Sequence, residues 1–141
     1  GKGLFVLIKT SNPSSVEIQD LPAGDAPVYL HMAALVSRWG AAFTGASGYS
    51  AIGAVVGLTY PEEFAAVKAR MPNTFFLIPG YGAQGGTGKD LAVIFKGGLC
   101  GVVNSSRGIL CAHKNKSDGE DFATYAAAAA RAMKEDILQW L

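Results

Sequence analysis

The sequence has few charged residues and contains no long hydrophobic run. Asp, Glu, Lys and Arg make up 16% of the 141 residues, and the formal net charge is +1, whereas about 25% charged residues is usual. A nearly neutral chain has no general attraction for nucleic acid or for an anionic membrane surface. No apolar run approaches the ~18 residues that a membrane helix requires, and the first residues lack the ordered zones of a signal peptide. We therefore expect neither nucleic acid nor a membrane among the partners.

Cysteine and histidine are also scarce, with two residues of each. Cys100 and Cys111 lie in or beside an apolar segment, and two cysteines in a domain of ordinary size do not make a disulfide framework. We predict that both are reduced, which favours a cytoplasmic protein. No cluster of ligating side chains surrounds His31 or His113 in the sequence, so we expect no metal site and assign both histidines to surface or packing roles.

Glycine and alanine are abundant, with 18 and 22 residues. The hydrophobic share of 50% provides enough apolar surface to offset the entropy of ordering the chain, which excludes disorder. The glycines show no three-residue period, which excludes collagen. The length alone suggests one domain.

Segments of strand and helix character alternate four times along the chain. Strands are predicted at 4–8, 52–56, 75–78 and 99–103, helices at 28–39, 61–70, 88–96 and from 117 onward, and a loop at 14–27. This alternation is typical of an α/β fold with parallel strands and right-handed crossovers. The first strand is apolar without interruption, which predicts that both of its faces are covered.

The expected helix boundaries depend on capping signals. Gly40 would end the first helix and Pro61 would begin the second. A capping-box spacing at 117–120 would begin the last helix. That helix is expected to carry one apolar face, made by Phe122, Ala126, Ala129, Met133, Ile137 and Leu141.

A glycine-rich loop follows the third predicted strand. Its segment 80–85 matches the dinucleotide-binding pattern G-x-G-x-x-G, but the next strand ends in Asn-Ser-Ser at 104–106, where an acidic residue is expected. The segment 83–89 imitates a Walker A loop, but its opening glycine is replaced by Ala83. Asp90 stands where a Ser or Thr would hold Mg²⁺. Because both motifs are incomplete, neither a dinucleotide site nor a nucleoside triphosphate site is favoured.

A broader interpretation of the same loop is a phosphate site. Parallel α/β folds bind ligands at the carboxyl ends of their strands, and a loop dense in glycine exposes backbone N–H groups to an anion. Arg107 follows the fourth predicted strand, and its planar guanidinium suits a phosphate. The alternative is that the glycines only form turns and that Arg107 is solvated.

Four loop segments taken together resemble orotidine 5'-phosphate decarboxylase, most closely its larger bacterial subgroup. They are 9–15 (Lys-Thr-Ser-Asn-Pro-Ser-Ser), 53–63, 78–86 (Ile-Pro-Gly-Tyr-Gly-Ala-Gln-Gly-Gly) and 103–109 (Val-Asn-Ser-Ser-Arg-Gly-Ile). The resemblance implies a (βα)8 TIM barrel that decarboxylates orotidine 5'-monophosphate to UMP in pyrimidine biosynthesis, without cofactor or metal. Such a barrel takes about 250 residues. The predicted strands would then be strands five to eight, and residues 1–141 would form the C-terminal half barrel.

The resemblance also assigns substrate-binding residues. They are Ser11, Pro79, Gln84, Gly85, Gly86, Ser106, Arg107 and Gly108. Ser11 would contact the pyrimidine ring, and Gln84 would lie across the nucleotide within a closing loop at 79–86. Arg107, together with the backbone of its two neighbours, would hold the phosphate.

The residues that carry the chemistry of this family are absent from the sequence. That chemistry depends on an Asp-x-Lys-x-x-Asp pattern, in which the Lys cation stabilises the carbanion left by loss of CO₂ and then protonates it. The nearest Lys–Asp neighbours, Lys89 and Asp90, lie at a loop–helix junction. We therefore expect the chain to contribute no catalytic residue and to be inactive alone.

Two functions remain open at this point. One is the C-terminal half of the decarboxylase, which binds orotidine 5'-monophosphate or UMP and is completed by the missing N-terminal half. The other is a non-catalytic phosphate- or nucleotide-binding half barrel that self-associates, since opening a barrel leaves two edge strands, at 4–8 and 99–103, that seek partners.

Overall fold

The computed structural model describes residues 1–96, 98, 100–114, 116 and 119–141. Within them, the strands are β1 (Leu4–Lys9), β2 (Pro22–Ala23), β3 (Ala26–Pro27), β4 (Ile52–Val56), β5 (Phe76–Pro79) and β6 (Gly101–Asn104). The α-helices are α1 (Val16–Gln19), α2 (Val28–Gly40), α3 (Pro61–Arg70), α4 (Gly88–Ile94), α5 (Ser106–Leu110) and α6 (Phe122–Leu138). The strands β1, β4, β5 and β6 form one sheet, and β2 and β3 form a small antiparallel hairpin.

The four strands of the main sheet are parallel and lie in the order β1-β4-β5-β6. Each strand therefore lies beside the strand that precedes it in this series, and the order never reverses. A dinucleotide-binding sheet has the order 3-2-1-4-5-6, in which four successive strands are never in sequential order. The sequential order is the one found in (βα) barrels. The parallel pairing of all four strands confirms the predicted α/β fold.

The hydrophobic core lies between one face of the sheet and the helices α2, α3 and α4. Phe64 on α3 and Phe76 on β5 are both fully buried, and their ring centroids are 5.0 Å apart. Helix α3 begins at Pro61, with Glu62 and Glu63 in its first turn, where their charges complement the positive end of the helix. The apolar face of α3 is held against the sheet by this burial.

The opposite face of the sheet is exposed. Phe5 and Leu7 on β1 are 45% and 55% exposed, and Val102 on β6 is 47% exposed. The expectation that β1 is covered on both faces is wrong for this structure, because the packed helices lie on one side of the sheet only. An apolar surface thus extends from one edge strand to the other.

Segment 14–27 differs most from its prediction. The sequence predicts a loop here, but the segment contains α1 and the hairpin of β2 and β3, and its first two residues belong to a 3-10 turn at Pro13–Ser15. The hairpin turns through Gly24 and Asp25, and Gly24 has a φ of +70°. A Gly at such a position allows a two-residue connection between antiparallel strands.

Strand β4 and helix α3 have their predicted bounds, whereas other boundaries shift. Gly40 does not stop α2: it is the last residue of that helix, and the chain continues into a 3-10 turn at Ala41–Phe43. Strand β5 begins and ends one residue later than predicted, and α4 ends two residues earlier, at Ile94. Positions 99, 117 and 118 lie outside the described residues, and with them the predicted start of β6 and the capping box of the last helix.

Helix α6 packs on α4 and α5 through only part of its predicted apolar face. Ala126, Ala129, Met133 and Ile137 are half-buried. The other two predicted members of that face, Phe122 and Leu141, are exposed. The helix begins after Asp121, which makes no side-chain cap hydrogen bond. Among the described residues, no helix combines the length and the apolar character needed to cross a membrane.

Candidate functional site

The loops that follow β5 and β6 lie side by side, because these strands are parallel neighbours. They enclose a cavity of about 170 Å³. Its lining residues are Pro79, Gly80, Tyr81, Ala83, Gln84, Asn104, Ser105, Ser106 and Arg107. The cavity is thus built from the two segments in which the sequence predicts a phosphate site.

The loop after β5 takes its shape from glycine. Gly80, Gly82 and Gly85 have φ values of +109°, +71° and +94°, in the region that other residues rarely adopt. Within the loop, the N–H of Gly85 donates to the carbonyl of Gly82 at 2.8 Å, and the N–H of Gly86 donates to that of Gly80 at 3.1 Å. A Cβ on Gly86 would lie 2.6 Å from the Leu58 side chain. The loop is therefore a defined turn that other residue types would distort.

Arg107 supplies positive charge at the cavity. It is exposed, and no carboxylate of the described residues lies within ion-pair distance of its guanidinium. Beside it, the side-chain amide of Asn104 donates to the hydroxyl of Ser106 at 3.2 Å. The Asn104 Oδ1 atom is buried and has no hydrogen-bond partner in the described part of the chain. An unpaired cation beside polar side chains is an arrangement that can bind an anion.

Four of the eight predicted substrate-binding residues line the cavity together: Pro79, Gln84, Ser106 and Arg107. The glycines among the predicted residues have other roles in the geometry. Gly85 gives the loop its turn, and a Cβ on Gly108 would lie 2.5 Å from the Ser105 hydroxyl oxygen. Glycine at 108 therefore permits the close approach of the Ser105 side chain.

Ser11 lies apart from the cavity lining, at the end of β1. Its hydroxyl oxygen is buried without a hydrogen-bond partner among the described residues, and it would be 3.0 Å from a Cβ on Gly80. The Gln84 Oε1 atom would be 3.2 Å from the same Cβ. Ser11 and Gln84 thus approach each other at Gly80.

Asp90 caps helix α4. The Thr87 N–H donates to Asp90 Oδ2 at 2.9 Å, the Thr87 hydroxyl donates to the same atom at 2.7 Å, and the Asp90 N–H donates back to the Thr87 hydroxyl oxygen. This capping box satisfies backbone donors at the helix start. The residue that departs from the Walker A pattern therefore has a structural role at the start of α4.

Tyr81 and Asp136 form a pair that the sequence reasoning missed. The Tyr81 hydroxyl donates to Asp136 Oδ2 at 2.5 Å. Burial, together with this bond to a carboxylate, raises the pKa of Tyr81 to about 12, and the same bond lowers the pKa of Asp136. Tyr81 is the one bulky side chain in the loop at 79–86, which was a signal in the sequence, but nothing there pointed to a carboxylate 55 positions later.

Lys9 is a second feature that the sequence did not reveal. It is 1% exposed, forms an ion pair with Asp20, and has its ammonium 5.3 Å from the ring centroids of both Tyr29 and Tyr60. Burial and the nearby carboxylates of Glu63 and Asp20 raise the pKa of Tyr29. The Lys9–Asp20 ion pair anchors the end of β1, two residues before Ser11, to the segment that follows α1.

Both cysteines are free thiols, Cys100 buried and Cys111 half-buried. Burial raises the pKa of Cys100. In the described part of the chain, no group of three or more His, Cys, Asp or Glu residues is arranged to hold a metal ion.

Comparisons with known proteins agree with the loop motifs. No model of a protein family matches the chain. The chain is 48% identical over 139 residues to the orotidine 5'-phosphate decarboxylase of Petrotoga mobilis, covering 96% of this chain and 48% of the relative. It is 44% identical over 140 residues to the enzyme of that name from Clostridium tetani, covering 99% and 49%.

The chain also matches solved structures that are named as orotidine-monophosphate decarboxylases. A putative orotidine-monophosphate-decarboxylase from Toxoplasma gondii matches with a TM-score of 0.72 and 32% identity, over 99% of this chain and 51% of that one. The OMP decarboxylase of Leishmania donovani matches with a TM-score of 0.68 and 31% identity, over 99% and 48%. The chain spans about half the length of the curated relatives it matches. It is thus a homologue of the orotidine 5'-phosphate decarboxylases along almost all of its own length.

Proposed function

We propose that this chain is the C-terminal half of an orotidine 5'-phosphate decarboxylase barrel and supplies the phosphate- and base-binding loops. Its strands β1, β4, β5 and β6 would be strands five to eight of the barrel. The observation that carries the proposal is the cavity between the loops after β5 and β6. Arg107 is exposed there, and no carboxylate of the described residues lies within ion-pair distance of it. In (βα)8 barrels the loops after strands seven and eight frequently form a phosphate site.

The division of labour in this proposal follows from the chemistry. Arg107 would hold the phosphodianion by charge-assisted hydrogen bonds, and Gln84 would reach across to the base from the glycine loop. Phosphate binding far from the reacting bond can drive closure of a loop around the substrate. The Lys that stabilises and protonates the carbanion would have to come from another polypeptide segment, because this sequence has no Asp-x-Lys-x-x-Asp pattern.

The exposed face of the sheet is where such a segment would dock. Phe5, Leu7 and Val102 contribute to its apolar surface, and β1 and β6 are the edge strands of the sheet. Edge strands present backbone groups that can pair with another chain. The remaining four (βα) units of a barrel would cover both the face and the edges. Homology to decarboxylases along almost the whole chain favours this proposal over a non-catalytic half barrel that associates with itself.

Ligand binding by the chain tests the phosphate site. By titration calorimetry we expect UMP to bind more tightly than uridine, and Arg107→Ala to weaken UMP binding by about 10- to 100-fold, the range for charge-assisted hydrogen bonds. Uridine binding should be unchanged in that variant. Arg131→Ala, which removes an exposed arginine from α6, serves as the matched control. Equal affinities of the parent chain for UMP and uridine would refute the proposal.

Complementation tests the missing half. The chain alone should produce no UMP from orotidine 5'-monophosphate, and activity should appear when it is mixed with the N-terminal half of a curated relative that contains the Asp-x-Lys-x-x-Asp pattern. Sedimentation should show that the mixture forms a larger species. Turnover by the rigorously purified chain would contradict the assignment of the catalytic Lys to another segment.

A further inference from the structure

The carboxylate of Asp136 connects helix α6 to the candidate site. Asp136 Oδ2 accepts the hydroxyl of Tyr81 at 2.5 Å and the backbone N–H of Gly88 at 3.0 Å. Its other oxygen, Oδ1, accepts the side-chain amide of Gln139 at 2.8 Å. One side chain on the last helix therefore binds both the glycine loop after β5 and the first residue of α4.

Tyr81 extends this connection across the cavity. Its backbone carbonyl accepts the hydroxyl of Ser105 at 2.9 Å, and Ser105 is a buried residue that directly precedes Ser106 and Arg107. The series Asp136–Tyr81–Ser105 thus links α6, the loop after β5 and the end of β6. These last two elements are the two walls of the cavity, so the series fixes one wall relative to the other.

The backbone around this connection is fitted closely. A Cβ on Gly88 would lie 2.6 Å from Asp136 Oδ2, 2.7 Å from the Asp136 carbonyl and 2.8 Å from the Trp140 ring. Only glycine at 88 allows α6 to approach the start of α4 so nearly. The position of Asp136 beneath the loop is therefore built into the packing of two helices, and it does not depend on one side-chain rotamer alone.

We propose that Asp136 is a positioning residue that holds the loop at 79–86 and the Arg107 wall in the geometry that binds phosphate, acting through Tyr81. This inference rests on the proposed function of the cavity as a phosphate site. Asp136 is absent from the cavity lining. Asp136 would raise the fraction of molecules whose loop at 79–86 has the binding geometry. The apparent affinity for the ligand is proportional to that fraction.

The loop at 79–86 is rich in glycine, and its middle part is exposed. Gly82, Ala83, Gln84 and Gly85 are all exposed, and glycine loses more conformational entropy on ordering than other residues. The two ends of the loop are held near Leu58, whose N–H donates to the Pro79 carbonyl at 2.9 Å and whose side chain packs on Gly86. The Tyr81 side chain connects the part between them to α6. Removing that contact frees the loop while the sheet beneath it stays packed.

The test compares Asp136→Ala and Tyr81→Phe with Glu135→Ala, a matched control that removes an exposed carboxylate from the adjacent position of α6. Both test variants should bind UMP about 3- to 30-fold more weakly, the range for residues that act on a site without touching its ligand. Uridine affinity should fall less than UMP affinity, because uridine keeps only the contact of its base with Gln84 and lacks the phosphate that Arg107 would hold. The double variant should be no weaker than the weaker single variant, because both substitutions break the same connection. Asp136→Asn, which keeps a carbonyl acceptor, should recover most of the loss.

Amide hydrogen exchange separates this inference from the function it rests on. Exchange at Gly82, Gly85 and Gly86 should accelerate in Asp136→Ala and in Tyr81→Phe but not in Glu135→Ala, with or without a ligand. Failure of the parent chain to prefer UMP over uridine overturns the phosphate site, and the exchange rates then still decide whether Asp136 holds the loop. Unchanged exchange, or an unchanged ratio of UMP to uridine affinity in Asp136→Ala despite lower stability, overturns the positioning role.

Discussion

Replacing Asp20 by Asn is expected to destabilise the protein more than replacing its buried partner Lys9 by Met. Lys9 is 1% exposed, and Asp20 is 37% exposed. Removing one partner of a fully buried ion pair costs about 3–5 kcal/mol, because the other charge is left uncompensated. Since water reaches Asp20, and can partly replace it, we expect a smaller loss of about 1–3 kcal/mol for Asp20→Asn.

Lys9→Met removes the charge that must be compensated and keeps an unbranched side chain in the same space. It loses the contacts of the ammonium with the rings of Tyr29 and Tyr60, each worth about 0.5–2 kcal/mol. It also removes the desolvation of a buried ammonium, a gain of similar size. The free energy of unfolding should therefore stay within about 1 kcal/mol of the parent value.

Urea denaturation at pH 8, analysed with the slope m held common, measures both changes. Asp25→Asn is the control, because the Asp25 side chain is 96% exposed and belongs to the neighbouring hairpin; it should change stability by no more than about 0.5 kcal/mol. A loss for Lys9→Met that exceeds the loss for Asp20→Asn would refute the reasoning. So would an Asp20→Asn variant as stable as the control.

Three further predictions concern the core, the thiols and the pH dependence. Phe64→Ala, at a fully buried site against the core, should cost about 3–5 kcal/mol in a urea titration, and a loss under 1 kcal/mol would show that the site collapses freely. Iodoacetamide followed by mass spectrometry should label half-buried Cys111 before Cys100, whose burial raises its thiol pKa, and the reverse order would contradict the burial. The stabilising effect of the Tyr81–Asp136 bond should be full between about pH 4 and 10. It should fade below that window, as Asp136 is protonated through its lowered pKa, and above it, as Tyr81 ionises through its pKa of about 12. The difference in unfolding free energy between the parent chain and Tyr81→Phe, measured across pH, should follow this profile, and a flat difference would exclude it.

The sequence predicted those elements whose signals are local. Helix α3 has its predicted bounds because Pro61 sets its first turn and the apolar residues repeat with the helical period. Strand β4 is a short apolar run between breaks, and its prediction was also correct. The cavity followed from the same logic, since the carboxyl ends of neighbouring parallel strands meet at one edge of the sheet.

Features made by distant contacts could not be predicted in this way. The partners Lys9 and Asp20 are 11 positions apart, and Tyr81 and Asp136 are 55 positions apart. No periodicity or motif joins such pairs, because the backbone path between them brings them together. The hairpin of β2 and β3 was missed for a different reason. Its strands are two residues long, and Pro22 and Pro27, which pair with each other, suggested breaks in regular structure.

The sequential order of the strands has a consequence for how the protein unfolds. Each strand of the main sheet pairs only with its neighbours along the series, as in repeat proteins, where stability is close to a sum of local units and the interfaces between them. The cavity and helix α6 lie at the end of this series, beside the open edge of β6. Opening of that edge alone would remove the cavity while β1 and β4 remain paired. In this architecture, the amides of the final units should therefore exchange through partial openings that leave the first units protected.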